Sequence, residues 1–250
     1  MTDLEHAARQ AADAAPTKEI LSFEYDGKRH WLKRGRPTGS NILHQTVWRL
    51  SRFPLLIPVQ SQSAPEARTH EINKIRRLAE AGIPVPKILL TTEEWFVMSD
   101  TGTVLRDHLY RKERNESLTL EIFHALADLH RRDFYHGGSQ LRNMTWREGK
   151  VHFIDFEESF DTSIDLKILQ LRDLFLLLFA LAKDRIPLDY PKHIALYRQI
   201  SGNDDFDRRL QAMFSRLGWL EKLIAYPPLW KILDKDTKAT YRLVQEIRKL

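Results

Sequence analysis

Cysteine is absent from all 250 residues, which excludes a disulfide framework and thiolate chemistry and makes a reducing cytoplasm the expected address. Long apolar runs are absent too. The longest, Leu174 to Ala182, has nine residues, under half of the roughly 20 that a membrane span needs. Met1 to Pro16 is rich in alanine but studded with Asp, Glu and Arg, so it lacks the apolar centre of a signal peptide. Glycine is sparse, and no Gly-x-Gly-x-x-Gly stands ahead of Lys33 to cradle phosphates. The histidines supply no metal set: His124, His130 and His136 are six apart, a spacing that does not line up on one helix face, and no cysteine accompanies them.

What is present can fill a core. Apolar residues make up 42% of the chain, with six Trp and twelve Phe, enough for one large domain or two small lobes. The net charge of +5 favours anionic partners such as a nucleotide, a phosphorylated sugar or an acidic lipid. From Phe206 onward ten Lys and Arg face five acids, so this segment accounts for the whole surplus. With Trp219, Tyr226 and Trp230 among those cations, it suits peripheral contact with an anionic membrane or glycolipid, or else is a solvated helical face. Nucleic-acid binding would also use basic charge, but no nucleic-acid motif is present and none is expected as a partner.

Periodicity orders the elements. Glu5 to Ala15 reads as a short polar helix closed by Pro16. Ile20 to Tyr25, the turn Asp26 and Gly27, and His30 to Lys33 read as a hairpin. Gly35 to Ser40 is loop, and Asn41 to Arg52 is a candidate helix. In Glu66 to Ala81 the residues Ile72, Ile75, Leu78 and Ala79 recur three and four apart, a helix with one buried stripe that Gly82 ends. Ile88 to Leu90 and Trp95 to Met98 form a second hairpin. Ser99 to Gly102 breaks the pattern. Beyond it helices are expected over Val104 to Lys112, over Leu118 to Arg132 with Ile122, Ala125, Leu126 and Leu129 inward, and over Leu166 to Lys183 as a buried axis. From Tyr190 on, amphipathic helices are separated by Gly202, Gly218 and Pro227 with Pro228. Strands first and helices after give an α+β chain.

Phe134 to Glu157 carries the chemistry. A turn ends at Asn143, and two short apolar strands follow, the second ending at Asp155, twelve residues further on. Asn and Asp brought side by side offer oxygen ligands of the kind Mg²⁺ prefers, with positions left for phosphate oxygens. Asp155 follows Val151, Phe153 and Ile154, where an unpaired carboxylate is costly unless it meets a cation or backbone N–H groups.

This stretch resembles the catalytic loop and metal-binding motif of the protein-kinase-like superfamily, where His is followed seven residues later by Asn and then by Asp-Phe-Gly. His136 and Asn143 keep that interval, and Asp-Phe-Glu closes the pattern. Gly138 stands where the catalytic Asp is usual. Glycine and prolines after a helix, with Glu71 eleven residues before Gly82, resemble the bacterial lipopolysaccharide core kinases and the RIO-type atypical kinases. The resemblance covers about Ile20 to Leu181.

It implies a bilobal kinase-like fold, with residues 1–98 as an N-lobe of small antiparallel sheet and one long helix, and 99–250 as a helical C-lobe. It also implies roles. Lys33, in a strand like Val-Ala-Ile-Lys, would pair with Glu71 and hold the α and β phosphates of ATP. Read alone, Lys33 is a solvated lysine beside Arg34 and Arg36, and Glu71 an exposed helix acid. Met98, Ser99 and Asp100 would cross between lobes and face adenine. Asn143 and Asp155 would bind Mg²⁺, with Glu157 as a second ligand or a salt-bridge partner. His136 and Asp173 would be supports, the latter anchoring the catalytic loop. Phosphate cover would come from the Asp26 and Gly27 hairpin or from Gly35 to Asn41, and Ser139, Asp133 or Asp161 would align the acceptor only with a rearranged loop. The expected activity is ATP-dependent phosphotransfer to a sugar hydroxyl of a lipopolysaccharide core or similar glycolipid. The alternatives are an atypical protein kinase or a pseudokinase that binds nucleotide without turnover.

Overall fold

The computed structural model describes residues 2–40, 56–111, 116–203, 205–206, 208–210, 243 and 245. The helix expected over Asn41 to Arg52, Lys112, and the stretch holding Gly218, Trp219, Tyr226, Pro227, Pro228 and Trp230 lie outside these. The chain forms two compact units, one of Met1–Arg52, Leu56–Val104 and Asn143–Ile164, the other of Phe53–Leu55, Leu105–Arg142 and Asp165–Leu250. This division is interleaved, unlike a single cut at 98/99. The reason is strand pairing: the hairpin after Asn143 adds to a short strand just before Leu105 and so joins the first unit.

In the first unit, helix α1 (Asp3–Ala14) precedes a four-stranded antiparallel sheet of β1 (Ile20–Tyr25), β2 (Lys28–Arg34), β3 (Ile88–Thr91) and β4 (Trp95–Ser99), in the order β1-β2-β4-β3. Asp26 at φ +51° and Gly27 at φ +64° both adopt the left-handed region, which matches the twist a two-residue hairpin needs. Alternation along β2 puts Leu32 into one cluster with Ala8, Ala12, Trp95 and Val97, so the alanines of α1 cover that face. The helix is less polar in effect than its sequence suggests. Arg34 caps it from β2, donating to the carbonyls of Ala12 (2.9 Å), Ala15 (3.1 Å) and Lys18 (2.6 Å), which supplies cationic charge to a helix C-terminus that has none of its own.

Helix α2 (Ala64–Glu80) begins two residues before the expected start, where the Glu66 carboxylate accepts the Ser63 N–H at 2.8 Å and Pro65 sits in the first turn. It ends in a Schellman motif: Ile83 N–H reaches Leu78 C=O at 2.9 Å and Gly82 N–H reaches Ala79 C=O at 3.0 Å, with Gly82 at φ +75°. Its buried stripe is Ala67, Glu71, Ile72, Ile75 and Leu78. A second sheet combines β5 (Thr103–Val104), β6 (Met144–Arg147) and β7 (Lys150–Phe153). Its β6–β7 turn again has two left-handed residues, Glu148 at φ +52° and Gly149 at φ +77°.

The second unit is helical. It holds α3 (Leu105–Arg111), α4 (Glu116–Arg131), α5 (Leu166–Lys183) and α6 (Tyr190–Ser201). Strand β5 takes Val104, which was expected to open α3. Helix α4 packs against α6, burying Ile122, Phe123, Leu126 and Leu129, while Ala125 is only half-buried. Helix α5 is buried almost throughout, including its polar Gln170, Arg172 and Asp173. Among the described residues no helix is long and apolar enough to cross a membrane.

Candidate functional site

Lys33 lies one residue along β2 from Leu32 and therefore on the opposite side of the strand. It is 8% exposed, not the solvated lysine its basic neighbours suggest. Its Nζ donates to Glu71 Oε1 at 2.8 Å and to Asp155 Oδ1 at 2.6 Å, and Glu157 Oε2 stands 3.8 Å away. Burial by itself would lower the Lys33 pKa, but the Glu71 and Asp155 carboxylates outweigh it and hold the amine charged well beyond the ordinary lysine range. Glu71 occupies the buried stripe of α2, and burial pushes its carboxyl up against the opposing pull of Lys33.

Asp155, Phe156 and Glu157 follow β7 directly. Asp155 adopts φ +68°, a left-handed conformation that Asp tolerates better than most residues. Helix α2 holds this segment: the Phe156 N–H donates to Glu71 Oε1 at 3.2 Å, Lys74 lies 5.7 Å above the Phe156 ring, and His70 bonds the Glu158 backbone. Glu157 is paired with Arg36, whose Nε lies 3.0 Å from both carboxylate oxygens and whose terminal nitrogen is also in contact. That pairing raises the Arg36 pKa further above its ordinary value. Asn143 C=O accepts the Ile154 N–H at 3.0 Å, so the hairpin sets Asn143 beside the residue preceding Asp155. An amide oxygen and a carboxylate are donors that fit a hard divalent cation. Among the described residues, no group of three or more His, Cys, Asp or Glu forms a metal cage.

Met98 is buried in β4, paired with Trp31 and Ile88. The Ser99 N–H goes to Lys87 C=O at 3.0 Å, and the Asp100 C=O accepts from Arg147 at 2.8 Å, so both groups are taken within the unit. The Asp100 carboxylate accepts from Trp31 Nε1 at 2.8 Å and from Gly102 N–H at 3.1 Å. The Asp26 and Gly27 turn cannot cover groups at Lys33. Lys33 pairs with Ile20 at the other end of the ladder from Tyr25 and Lys28, about 17 Å of strand away. The loop from Gly35 is at the correct end.

In the second unit, α5 holds the loop after α4. Asp173 accepts the His136 N–H at 2.5 Å and the Gly137 N–H at 2.9 Å, and His130 Nε2 lies 3.4 Å from it. Arg172 donates to Gly137 C=O, and Gln170 to the carbonyls of His130 (2.8 Å) and Phe134 (3.0 Å). Burial would raise the Asp173 carboxyl, but the hydrogen bond and charge from His130, with charge from His136 and Arg172, hold it below the ordinary range. The Gly138 N–H goes to His136 Nδ1 at 3.1 Å. Ser139 is fully buried and donates its hydroxyl to the Asp173 C=O, so it is not presented to an acceptor. Asp133 is exposed, 3.8 Å from Lys167.

Sequence reasoning missed Arg36, Trp31, His130, Arg172 and Gln170. The last two carried a signal, since both are polar residues inside an apolar helix. Arg36 and Trp31 carried none, because their partners are 121 and 69 residues away.

The RIO domain family model matches residues 59–174. An uncharacterized protein of Haemophilus influenzae is 27% identical over 248 residues, covering 97% of this chain and 95% of that protein. The KEOPS complex subunit Bud32 of Pyrococcus abyssi is 31% identical over 106 residues, 40% of this chain and 48% of that subunit. Among solved structures, WaaP in complex with acyl carrier protein aligns with a TM-score of 0.47 at 13% identity, covering 81% of this chain and 82% of that one. The RIO domain match, running from Val59 through the buried Asp173 of α5 over 116 of the 250 residues, supports placing the chain in the protein-kinase-like superfamily.

Proposed function

We propose that the chain is an ATP-dependent phosphotransferase in which Lys33 holds the α and β phosphates, Asn143 and Asp155 bind Mg²⁺, and a hydroxyl of an anionic sugar or glycolipid takes the γ-phosphate. The observation that carries this reading is the buried Lys33 held by Glu71 at 2.8 Å and Asp155 at 2.6 Å. A charged amine and a carboxylate at the end of a strand are the two groups that kinase-type phosphoryl transfer needs fixed, since positioning and charge neutralisation carry most of the acceleration. Bound Mg²⁺ would neutralise charge building on the transferring phosphate. Lys33 has three donors and a single firm tie to each carboxylate, so it can take a phosphate oxygen and release Asp155. The acceptor class follows from the net charge of +5 and from the resemblance to lipopolysaccharide core kinases.

Gly138 favours a second reading, in which the chain binds nucleotide without turnover and acts by docking a partner. No carboxylate stands at that position, and Ser139 is turned to the Asp173 C=O. Transfer of labelled γ-phosphate from Mg·ATP to a lipopolysaccharide core fraction and to total protein, comparing wild type with Asp155→Ala, separates the two. Transfer by wild type that is lost in the variant supports a phosphotransferase, and the labelled fraction names the acceptor. Nucleotide binding without transfer to either fraction supports the docking module.

A further inference from the structure

Among the described residues of the first unit, no strand or glycine-rich turn ahead of β1 lies over Lys33. Beside the Lys33 end of β2 lie the link from α1 to β1, the loop from Gly35 to Ser40 and the turn between β3 and β4. Arg36 stands in the loop. It approaches Glu19 of the link at 3.5 Å through Nη1 and holds Glu157 through Nε at 3.0 Å to each oxygen. Its partner is buried, with the Glu157 side chain 11% exposed, while the Arg36 side chain is 50% exposed. A guanidinium half in water over a buried carboxylate has donors to spare, and its planar fork matches a phosphate as well as it matches a carboxylate.

The charges at this point are unbalanced. Among the described residues Glu19, Glu71, Asp155 and Glu157 face Lys33 and Arg36, two negative charges in excess. If a divalent cation takes Asp155, that excess is removed and Lys33, 3.8 Å from Glu157 Oε2, remains to keep Glu157 paired. Arg36 can then leave without stranding a buried carboxylate, the step that is otherwise strongly unfavourable.

The backbone on both sides of Arg36 is fixed, so the exchange needs only side-chain rotation. Before it, Gly35 runs against the first turn of α2, where a Cβ would lie 2.2 Å from the Ala64 carbonyl oxygen. After it, Thr38 pairs with Gln62 through two backbone bonds of 3.0 and 3.1 Å and donates its hydroxyl to Gln60 C=O at 3.1 Å.

We propose that Arg36 is a phosphate-binding residue for the nucleotide, held on Glu157 until the phosphates arrive. It takes the place of the glycine-rich cover that the sequence lacks. This rests on the ATP reading above.

The test is calorimetric titration of the full chain with ATP, ADP and AMP in saturating Mg²⁺, the condition under which a cation takes Asp155 and Arg36 can leave Glu157. Arg36→Gln paired with Glu157→Gln leaves an amide pair and no unpaired buried charge, which keeps the fold. This double variant weakens ATP about tenfold or more, equivalent to ~1.4 kcal/mol, with a smaller loss for ADP and least for AMP. Glu157→Gln alone frees Arg36 and tightens ATP several-fold. Unchanged ATP affinity in the double variant, with wild type binding, overturns the inference and leaves the ATP reading standing. Weaker ATP binding in Glu157→Gln alone also overturns it, assigning the carboxylate to the nucleotide instead. A wild type that binds none of the three nucleotides overturns the ATP reading and this inference together.

Discussion

Burial would strip the proton from an isolated Lys33, and only the two carboxylates at 2.8 and 2.6 Å keep it charged. The dependence runs both ways. Lys33→Met leaves Glu71, Asp155 and Glu157 with Arg36 as the remaining cation of the cluster, and removing one member of a buried pair costs about 3–5 kcal/mol. Urea melts should show a loss of that size, and Lys33→Met with Glu71→Leu should recover much of it while still failing to bind ATP. A double variant no more stable than the single one would mean that Glu71 is not the charge left stranded. Asp173 gives a pH test. Its folded pKa lies below the ordinary 3.8, so the stability it contributes is present above that value and is lost as pH falls through the lower folded value. Asp173→Asn loses charge-assisted bonds from two backbone N–H groups, about 3 kcal/mol at neutral pH. The gap between wild type and variant should narrow below pH ~4, and a gap constant down to pH ~2 would contradict it.

At the scale of elements, what could be read early was what local periodicity encodes. The stripe of α2 was legible from Ile72, Ile75 and Leu78, and Gly82 from its place after the last apolar turn. Glu71, an exposed helix acid when read from its neighbours alone, falls in line with Ala67 and Ile75 and is buried with the stripe. The alternation of β2 separated Leu32 from Lys33. What periodicity does not encode is which distant chain meets a face, so the Thr38 to Gln62 bridge and the capping of α1 by Arg34 were invisible. Gly35→Ala tests the first of these contacts. A methyl group 2.2 Å from the Ala64 carbonyl oxygen must push the loop off α2. The expected cost is about 1–3 kcal/mol, with ATP affinity falling together with it because Arg36 moves too. Chemical denaturation and nucleotide titration of this variant check the two effects separately, and unchanged stability would show that the loop yields freely.

For the whole molecule, nucleotide binding must appear as stability. At a concentration of Mg·ATP one hundred times its Kd, a ligand that binds only the folded state adds about 2.7 kcal/mol. For a chain of this length that is a rise in Tm of about 5–11 °C. Differential scanning calorimetry should show the rise in wild type and none in Lys33→Met with Glu71→Leu, and a Tm unmoved by Mg·ATP would count against the nucleotide site. The amino-acid sequence by itself determined the order of the described strands and helices apart from β5, the hairpin turn at Asp26 and Gly27, the apolar positions of the α2 stripe at Ile72, Ile75 and Leu78, and the spacing of His136, Asn143 and Asp155. These follow from steric and hydrophobic rules acting over a few residues. The tertiary structure alone decided that Lys33, Glu71 and Asp155 share one cluster across separations of 38 and 122 residues. It also decided that Arg36 closes on Glu157 and that the unit boundary is interleaved. Such pairings are set by how whole faces pack and by the cost of leaving a charge buried alone, and no short stretch of sequence carries that information.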